Sequence, residues 1–437
     1  MRRAIYLDCN ASHPLLEGVR KGLADAILQS SPLLGNPSSI HADGQQAKRV
    51  FAELRTSLGR FVGRAENDEF VLTSGATEAL NLAVRGFVRS RRAAGRSARL
   101  IASTVEHSAV LDTVRAMQGE GAKLDLIAVD ARGALDEAAF FAALEAARAE
   151  DDDALAVLQV ANNETGVAFD LEPLLARVYR DFGPGRVVPV ANKSRKSRFQ
   201  ETWPQSVWVC LDAAQALGKL DDSKLRRLTG SADYVALCAH KMGGPTGIGA
   251  LWARASSPLE PLLTGGTQER RRRAGTPNTL GAFGWLLALR EWASMGDGFR
   301  RKLRAQQRKL FDALGKVPGV VFHGVGPDGA PPELPNTLNL HVEGCPEESL
   351  VLALDLGGFL VSSGSACNSG SLKPSHVLTA MGYPREIALS SLRVCVGVET
   401  SDEEVEAFLE AFAAKVEQIR AARARAAEFL PVVEGSP

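Results

Sequence analysis

"EFVLTSGATEALNLAVRGFV", residues 69–88, is the stretch whose reading decides the fold. A short apolar run is broken at Ser74 and Gly75 and followed by apolar residues at helical spacing, which predicts strand, glycine turn, helix. "RLIASTVEHSAVLDTVRAM", residues 99–117, repeats that order. "LDLIAVD" (124–130) predicts a strand, and "LDEAAFFAALEAARA" (135–149) an amphipathic helix. Further apolar strands with polar ends are expected in "LAVLQVANNETG" (155–166), "VWVCLDAAQALG" (207–218) and "DYVALCAHKMGGPTGIGALWAR" (233–254). Strands alternating with helices imply an α/β fold, with a mainly parallel sheet covered on both faces. The clusters "SGATE", "TVEHS", "ANNETG", "DAAQ" and "CAHK" all follow apolar runs, which puts them at the carboxyl ends of strands. In an open α/β sheet that edge binds ligands.

The chain has 437 residues, more than one hydrophobic core usually supports. We expect a large domain over 15–262, with a basic, proline-bearing insertion at about 183–205. A smaller domain is expected from 1–14 and 263–437, where "PNTLNLHVEG" and "SSLRVCVGV" predict strands. Its last helix should begin at Ser401, with Glu404 at capping-box spacing and Val405, Phe408, Leu409, Phe412, Val416 and Ile419 on one packed face.

Composition excludes several function classes. Lys+Arg and Asp+Glu both number 51, so no global charge draws the chain to nucleic acid or an anionic membrane. No apolar run approaches the roughly 20 residues that span a bilayer. Asp8 and Asn10 interrupt the apolar part of the N-terminus too early for a signal peptide, so a cytoplasmic protein is expected. The six cysteines are scattered without C-x-x-C spacing, which argues against a disulfide scaffold or a metal site.

At the sheet edge, Gly75, Ala76 and Thr77 follow a strand and open a helix, where backbone N–H groups and the helix dipole favour an anion such as a phosphate. The plainer alternative is a strand-to-helix turn with Thr77 as N-cap. Lys241 follows an apolar strand among glycines, where partial burial would make it a usable amine nucleophile; the alternative is a lysine that snorkels to water. Asp212 ends a strongly apolar strand and needs a cationic or hydrogen-bond-donating partner, such as a protonated pyridine nitrogen, an arginine or backbone amides. His107 could stack on an aromatic ring or shuttle a proton, or be a satisfied polar residue. A Schiff-base lysine, an acid for a ring nitrogen, an anion site and a stacking ring are the parts that a pyridoxal 5'-phosphate site requires. Cys367, in "SSGSACNSGS" (362–371), sits among small residues that give a thiol little to pack against.

With those residues in place, the chain resembles the cysteine desulfurases of the NifS/IscS type, in the class V aminotransferase group of fold-type I pyridoxal phosphate enzymes. The resemblance rests on "IYLDCNASHP", "GNPSSIHADGQQA", "TSGATEALNLAV", "SSGSACNSGSLKPSHVLTAMG" and "SSLRVCVG", in that order along most of the chain. It implies a seven-stranded-type sheet in a large domain and a smaller α+β domain. By the resemblance, Lys241 is the Schiff-base lysine and His107 stacks on the cofactor. Asp212 partners the pyridine nitrogen, and Gln215 and Asn163 contact the ring oxygen. Ala76, Thr77, Cys238 and His240 contact the phosphate, and Thr276 reaches the phosphate of a neighbouring subunit, which implies a homodimer. Asn36 and Arg393 hold the substrate carboxylate, and Cys367 takes up sulfur from L-cysteine as a persulfide. A sulfur-acceptor protein is then implied, serving iron–sulfur cluster, thio-cofactor or tRNA biosynthesis. Two departures stand out: Cys238 replaces the family's usual serine, and the 183–205 stretch is longer than the family norm. Selenocysteine lyase, another class V enzyme, or a non-catalytic partner-binding scaffold are the alternatives; Lys241 and Asp212 together argue against the last.

Overall fold

A computed structural model describes residues 4–29, 35–62, 68–183, 206–326, 328–363 and 373–429. Cys367 and nearly all of the expected insertion therefore lie outside the described residues. The strands, in chain order, are β1 (Ile5–Tyr6), β2 (Glu69–Thr73), β3 (Ala98–Ser103), β4 (Lys123–Ile127), β5 (Asp153–Gln159), β6 (Val207–Asp212) and β7 (Tyr234–Cys238). They continue with β8 (Gly249–Ala253), β9 (Val320–His323), β10 (Thr337–Val342), β11 (Phe359–Leu360), β12 (Ser362–Ser363) and β13 (Leu392–Cys395).

The larger of two compact units comprises Pro14–Asn162 and Ala168–Gly296. Its seven-stranded sheet runs β2-β8-β7-β6-β5-β3-β4. From β7 to β4 every pairing is parallel, while β8 pairs antiparallel with both β2 and β7. Strands β3, β5, β6, β7 and β8 are buried along their whole length, as near-continuous apolar strands covered on both faces must be. The helix Ala76–Ala93 buries Leu80, Val84 and Phe87 against them, and the Phe87 ring meets Trp208 edge-on with centroids 5.2 Å apart. At the amino ends of the strands, Arg99 bonds Asp125 (2.8 Å) and Asp152 (3.1 Å), and Lys123 bonds Asp152 (2.9 Å). That edge is closed by ion pairs, and the carboxyl edge carries the polar clusters read from the sequence.

The smaller unit comprises Met1–His13, Asn163–Val167 and Asp297–Pro437. It holds an antiparallel sheet, β12-β13-β10-β9, and a short parallel pair, β1-β11. The final helix, Asp402–Phe429, starts with the expected capping box: Glu404 N donates to Ser401 Oγ (3.1 Å) and Ser401 N to Glu404 Oε2 (2.9 Å). Val405, Phe408, Phe412 and Val416 form its buried stripe. A directed hydrogen-bond chain crosses this unit. Asn339 Nδ2 donates to Glu164 O, so its Oδ1 accepts from His323 Nδ1 (2.6 Å); His323 Nε2 must then accept from His341 Nδ1 (2.9 Å).

The division differs from the sequence expectation at two places. Residues 263–296 belong to the larger unit, because the helix Thr279–Met295 packs there: its Trp292 Nε1 donates to Met242 O (2.6 Å) and its Trp285 Nε1 to Met242 Sδ (3.4 Å). Residues 163–167 join the smaller unit, where Asn163 O accepts from Asn10 Nδ2 (3.2 Å) and Gly166 O from Leu334 N (3.0 Å). No helix among the described residues is long and apolar enough to cross a membrane, and no group of three or more His, Cys, Asp or Glu side chains among them could hold a metal ion.

Candidate active site

The larger unit gathers one row of residues at the carboxyl ends of β2, β7 and β6 and the amino end of the antiparallel β8. In register, Thr73 and Cys238 both face Gly249 of β8. A Cβ on Gly249 would lie 2.6 Å from the backbone of Gly75, so only glycine lets β8 pass under that turn. The helix Ala76–Ala93 is capped by Gly75, not by Thr77: the expected alternative of Thr77 as N-cap is corrected, because Thr77 is already inside the helix and its carbonyl accepts from Asn81. Gly75 has no side chain to cap with, and a Cβ there would meet nothing within 4 Å. The helix thus presents its N-terminus to open space, the arrangement that suits an anion. Behind it, Glu78 accepts from Ser74 N (2.7 Å) and pairs with Arg273 (3.0 Å). A cavity of about 90 Å³ lined by Ser74, Gly247, Arg273 and Thr276 lies beside this turn.

His107 caps the next helix, Ser108–Gly119, with its Nδ1 accepting from Ala109 N (3.1 Å). An acceptor Nδ1 places the neutral ring's proton on Nε2. The turn before it is anchored in the core: Ser103 Oγ donates to Glu106 Oε1 (2.6 Å), and Asn162 Nδ2 donates to Val105 O (3.1 Å). Burial pushes the Glu106 carboxyl up to about 8 against its hydrogen bonds to Ser103 and Gln159, and the Asp212 charge adds to the shift.

Asp212 ends β6, and its Oδ1 accepts from Ala214 N (3.0 Å). Burial raises its carboxyl above the usual range, opposed by the Ala214 amide and by the charges of His107 and Lys241. These three residues, far apart in sequence, therefore share one electrostatic neighbourhood. Lys241 sits half-buried in the single turn His240–Met242 that follows β7, the turn held by Trp292 and Trp285. Burial, then Lys241 and Lys219, lowers His240 to about 4, so its ring is neutral near pH 7. Burial lifts the Cys238 thiol to about 11, with Lys241 pulling the other way. Gln215 is buried, and its Oε1 accepts from Lys219 Nζ (2.6 Å).

Asn36 is exposed in the larger unit, where its side chain accepts from Ser38 N (2.9 Å) in a local turn. Asn163 and Arg393 come together in the smaller unit. Arg393, on β13, is 2% exposed; its Nη1 donates to Asn163 O (3.1 Å) and its Nη2 to Asp8 Oδ1 (2.6 Å). Burial works against its charge, but Cys395, Asp8 and Glu164 hold the guanidinium above its ordinary value. Arg393 Nε is buried without an acceptor among the described residues. Sequence reasoning missed Glu106, Lys219 and Asp8. Each had a faint signal: Glu106 adjoins His107, Lys219 stands four residues after Gln215, and Asp8 interrupts an apolar strand.

A half-buried lysine and a buried acid thus stand together on the carboxyl edge of an open α/β sheet, the edge at which such sheets take their ligands. The chain belongs to the aminotransferase class-V family, whose sequence pattern matches residues 5–183 and 198–408. It is 35% identical over 421 residues to the cysteine desulfurase of Cereibacter sphaeroides, covering 95% of this chain and 97% of that protein. It is 33% identical over 421 residues to the cysteine desulfurase IscS of Methanosarcina thermophila, covering 96% and 93%. Among solved structures, a NifS-like protein superposes with a TM-score of 0.76 at 26% identity, over 95% of this chain and all of that one.

Proposed function

We propose that the chain is a cysteine desulfurase that uses pyridoxal 5'-phosphate, takes L-cysteine, releases L-alanine and carries the sulfur as a persulfide on Cys367. The observation that carries the reading is the shared neighbourhood of Asp212, His107 and Lys241 at the sheet edge, and the cysteine desulfurase relatives support it. The residues fit the cofactor. A carboxyl pushed up by burial gains its counter-charge when a protonated pyridine nitrogen stands beside it, as Asp212 requires. The open N-terminus of Ala76–Ala93 suits a phosphate, joined by Cys238, His240 and Thr276. Gln215 and Asn163 would meet the ring oxygen, His107 the ring face, and Lys241 the carbonyl carbon. When bound, the cofactor supplies the electron sink for bond breaking at the substrate's α-carbon.

The chain's own residues do the rest. Lys241 moves the α-proton. With Nδ1 tied to the helix cap, His107 offers a proton from Nε2 and can accept one at Nδ1 only by giving up the cap. Arg393 and Asn36 hold the substrate carboxylate, and the unpartnered Nε of Arg393 supports an incoming acceptor. The Cys367 thiolate takes the sulfur and hands it to an acceptor protein. A cytoplasmic homodimer, with Thr276 reaching the second subunit's phosphate, completes the reading.

The test is an assay of protein loaded with pyridoxal phosphate against L-cysteine, with a thiol reductant present. Alanine and sulfide should form in equal amounts. Lys241→Ala should abolish the visible absorption of the bound cofactor, and Asp212→Asn should lower kcat by at least about a hundredfold. Full multiple-turnover alanine release by Cys367→Ala, or turnover of L-selenocysteine alone, would overturn the reading.

A further inference from the structure

Lys219 is 2% exposed, at the end of the turn that follows β6. Lysine is among the residues least often buried so deeply, and its placement asks for a reason. Its Nζ donates to Gln215 Oε1 at 2.6 Å. A lysine ammonium has three donors and no acceptor, so this contact can only be made to the carbonyl end of the amide. The Nε2H2 group then lies on the opposite edge of the Gln215 side chain. Without such a donor, the two ends of a glutamine amide exchange freely and present either a donor or an acceptor to a ligand.

The spacing between the two residues is held by the backbone. Lys219 N and Leu220 N both donate to Ala216 O, at 3.1 and 3.0 Å. Between them Gly218 adopts φ +79°, and a Cβ there would meet the Trp292 ring at 3.0 Å. The same Trp292 holds Met242, next to Lys241. One indole therefore braces both the turn of Gln215 and Lys219 and the turn of Lys241. The charge of Lys219 is also felt at the end of β7, where it opposes the upward shift of Cys238 and adds to the downward shift of His240.

We propose that Lys219 is a positioning residue: it fixes the amide of Gln215 with the donor end toward the cofactor's ring oxygen, and it keeps this side of the site electropositive. The proposal rests on the pyridoxal phosphate reading above. A ring oxygen carrying negative charge is stabilised by an N–H donor and repelled by a carbonyl oxygen, so the orientation decides whether Gln215 helps or hinders. The charged and titratable groups of this neighbourhood are Asp212 on β6, Cys238 on β7, His240 and Lys241 in the turn after it, and His107 at its helix cap.

The experiment compares wild type, Lys219→Met and Lys219→Arg, each loaded with pyridoxal phosphate. Cofactor affinity is read by equilibrium dialysis, and the pH midpoint of the visible band by absorbance. Removing a nearby positive charge eases protonation at the Lys241 nitrogen, so Lys219→Met should raise the midpoint by about one pH unit. Its cofactor Kd should rise about tenfold, as expected for a lost charge-oriented hydrogen bond. Lys219→Arg, which keeps the charge and the donors, should restore both toward wild type; a purely structural lysine would not move the midpoint. If the methionine variant fails to fold by its thermal melt, Lys219→Gln, uncharged but polar, should show the same rise in midpoint. A wild-type midpoint and Kd in a folded, uncharged variant would overturn the role of Lys219 alone. A wild-type protein that takes up no pyridoxal phosphate would overturn the reading of the site, and this proposal with it.

Discussion

Glu106 shows what one buried atom group can do to the pH response. Its folded-state carboxyl titrates at about 8, while an unfolded glutamate titrates near 4.3. Between those values the folded chain binds the extra proton, so stability falls as pH rises, by up to about 1.4 kcal/mol per pH unit, and levels off above 8. Glu106→Gln keeps the shape and a donor without the titration. The urea midpoint at pH 8 relative to that at pH 5.5 should therefore be higher in the variant than in wild type; an unchanged relation would count against a protonated Glu106. The sequence placed Lys241, Asp212 and His107 at one sheet edge because each is a polar residue at or just beyond the end of an apolar strand. Glu106, Lys219 and Asp8 were not legible, because their importance lies in burial and in a partner's orientation. The hydrogen bonds Ser103–Glu106 and Lys219–Gln215 join residues only three and four apart, yet nothing in that spacing says they are inside.

Among the elements, the closing helix was the easiest to read. Ser401 and Glu404 announce its start, and its apolar stripe at helical spacing announces the buried face. Ser401→Ala removes the acceptor for Glu404 N and should cost about 1 kcal/mol, read as a lower denaturation midpoint with an unchanged slope. The strands of the large sheet were equally plain, since "VWVCL" and "DYVALC" could only be covered on both faces. The direction of β8 was not, because a strand's apolar pattern is the same read either way. Nor was the place of the helix Thr279–Met295, whose tryptophans tie it to Met242 across more than 40 intervening residues. Long-range contacts of that kind set domain limits, and local composition, which shifts near Pro261, does not.

At the scale of the whole molecule, the two units answer acid differently. His323 is lowered to about 4 by burial, and its oriented chain with His341 and Asn339 has no room for a second ring proton. A histidine so depressed contributes stability that is present above about 6.5 and lost as pH falls toward 4. The smaller unit should therefore weaken on acidification. In the larger unit His240 pulls the same way, and Glu106 opposes it over the same range. The described tryptophans, Trp208, Trp252, Trp285 and Trp292, lie within the larger unit. Emission from these tryptophans, excited selectively over tyrosine, consequently reports on the larger unit, whereas far-ultraviolet ellipticity sees both. Denaturation followed by the two signals should diverge more at pH 5 than at pH 7, with ellipticity lost first; coincident curves at both pH values would show the units unfolding as one. The chain thus carries its own optical label on the unit that holds Lys241. The same indoles that brace the lysine's turn would lose emission by energy transfer once a chromophore is attached there, which makes cofactor loading readable in an unlabelled protein.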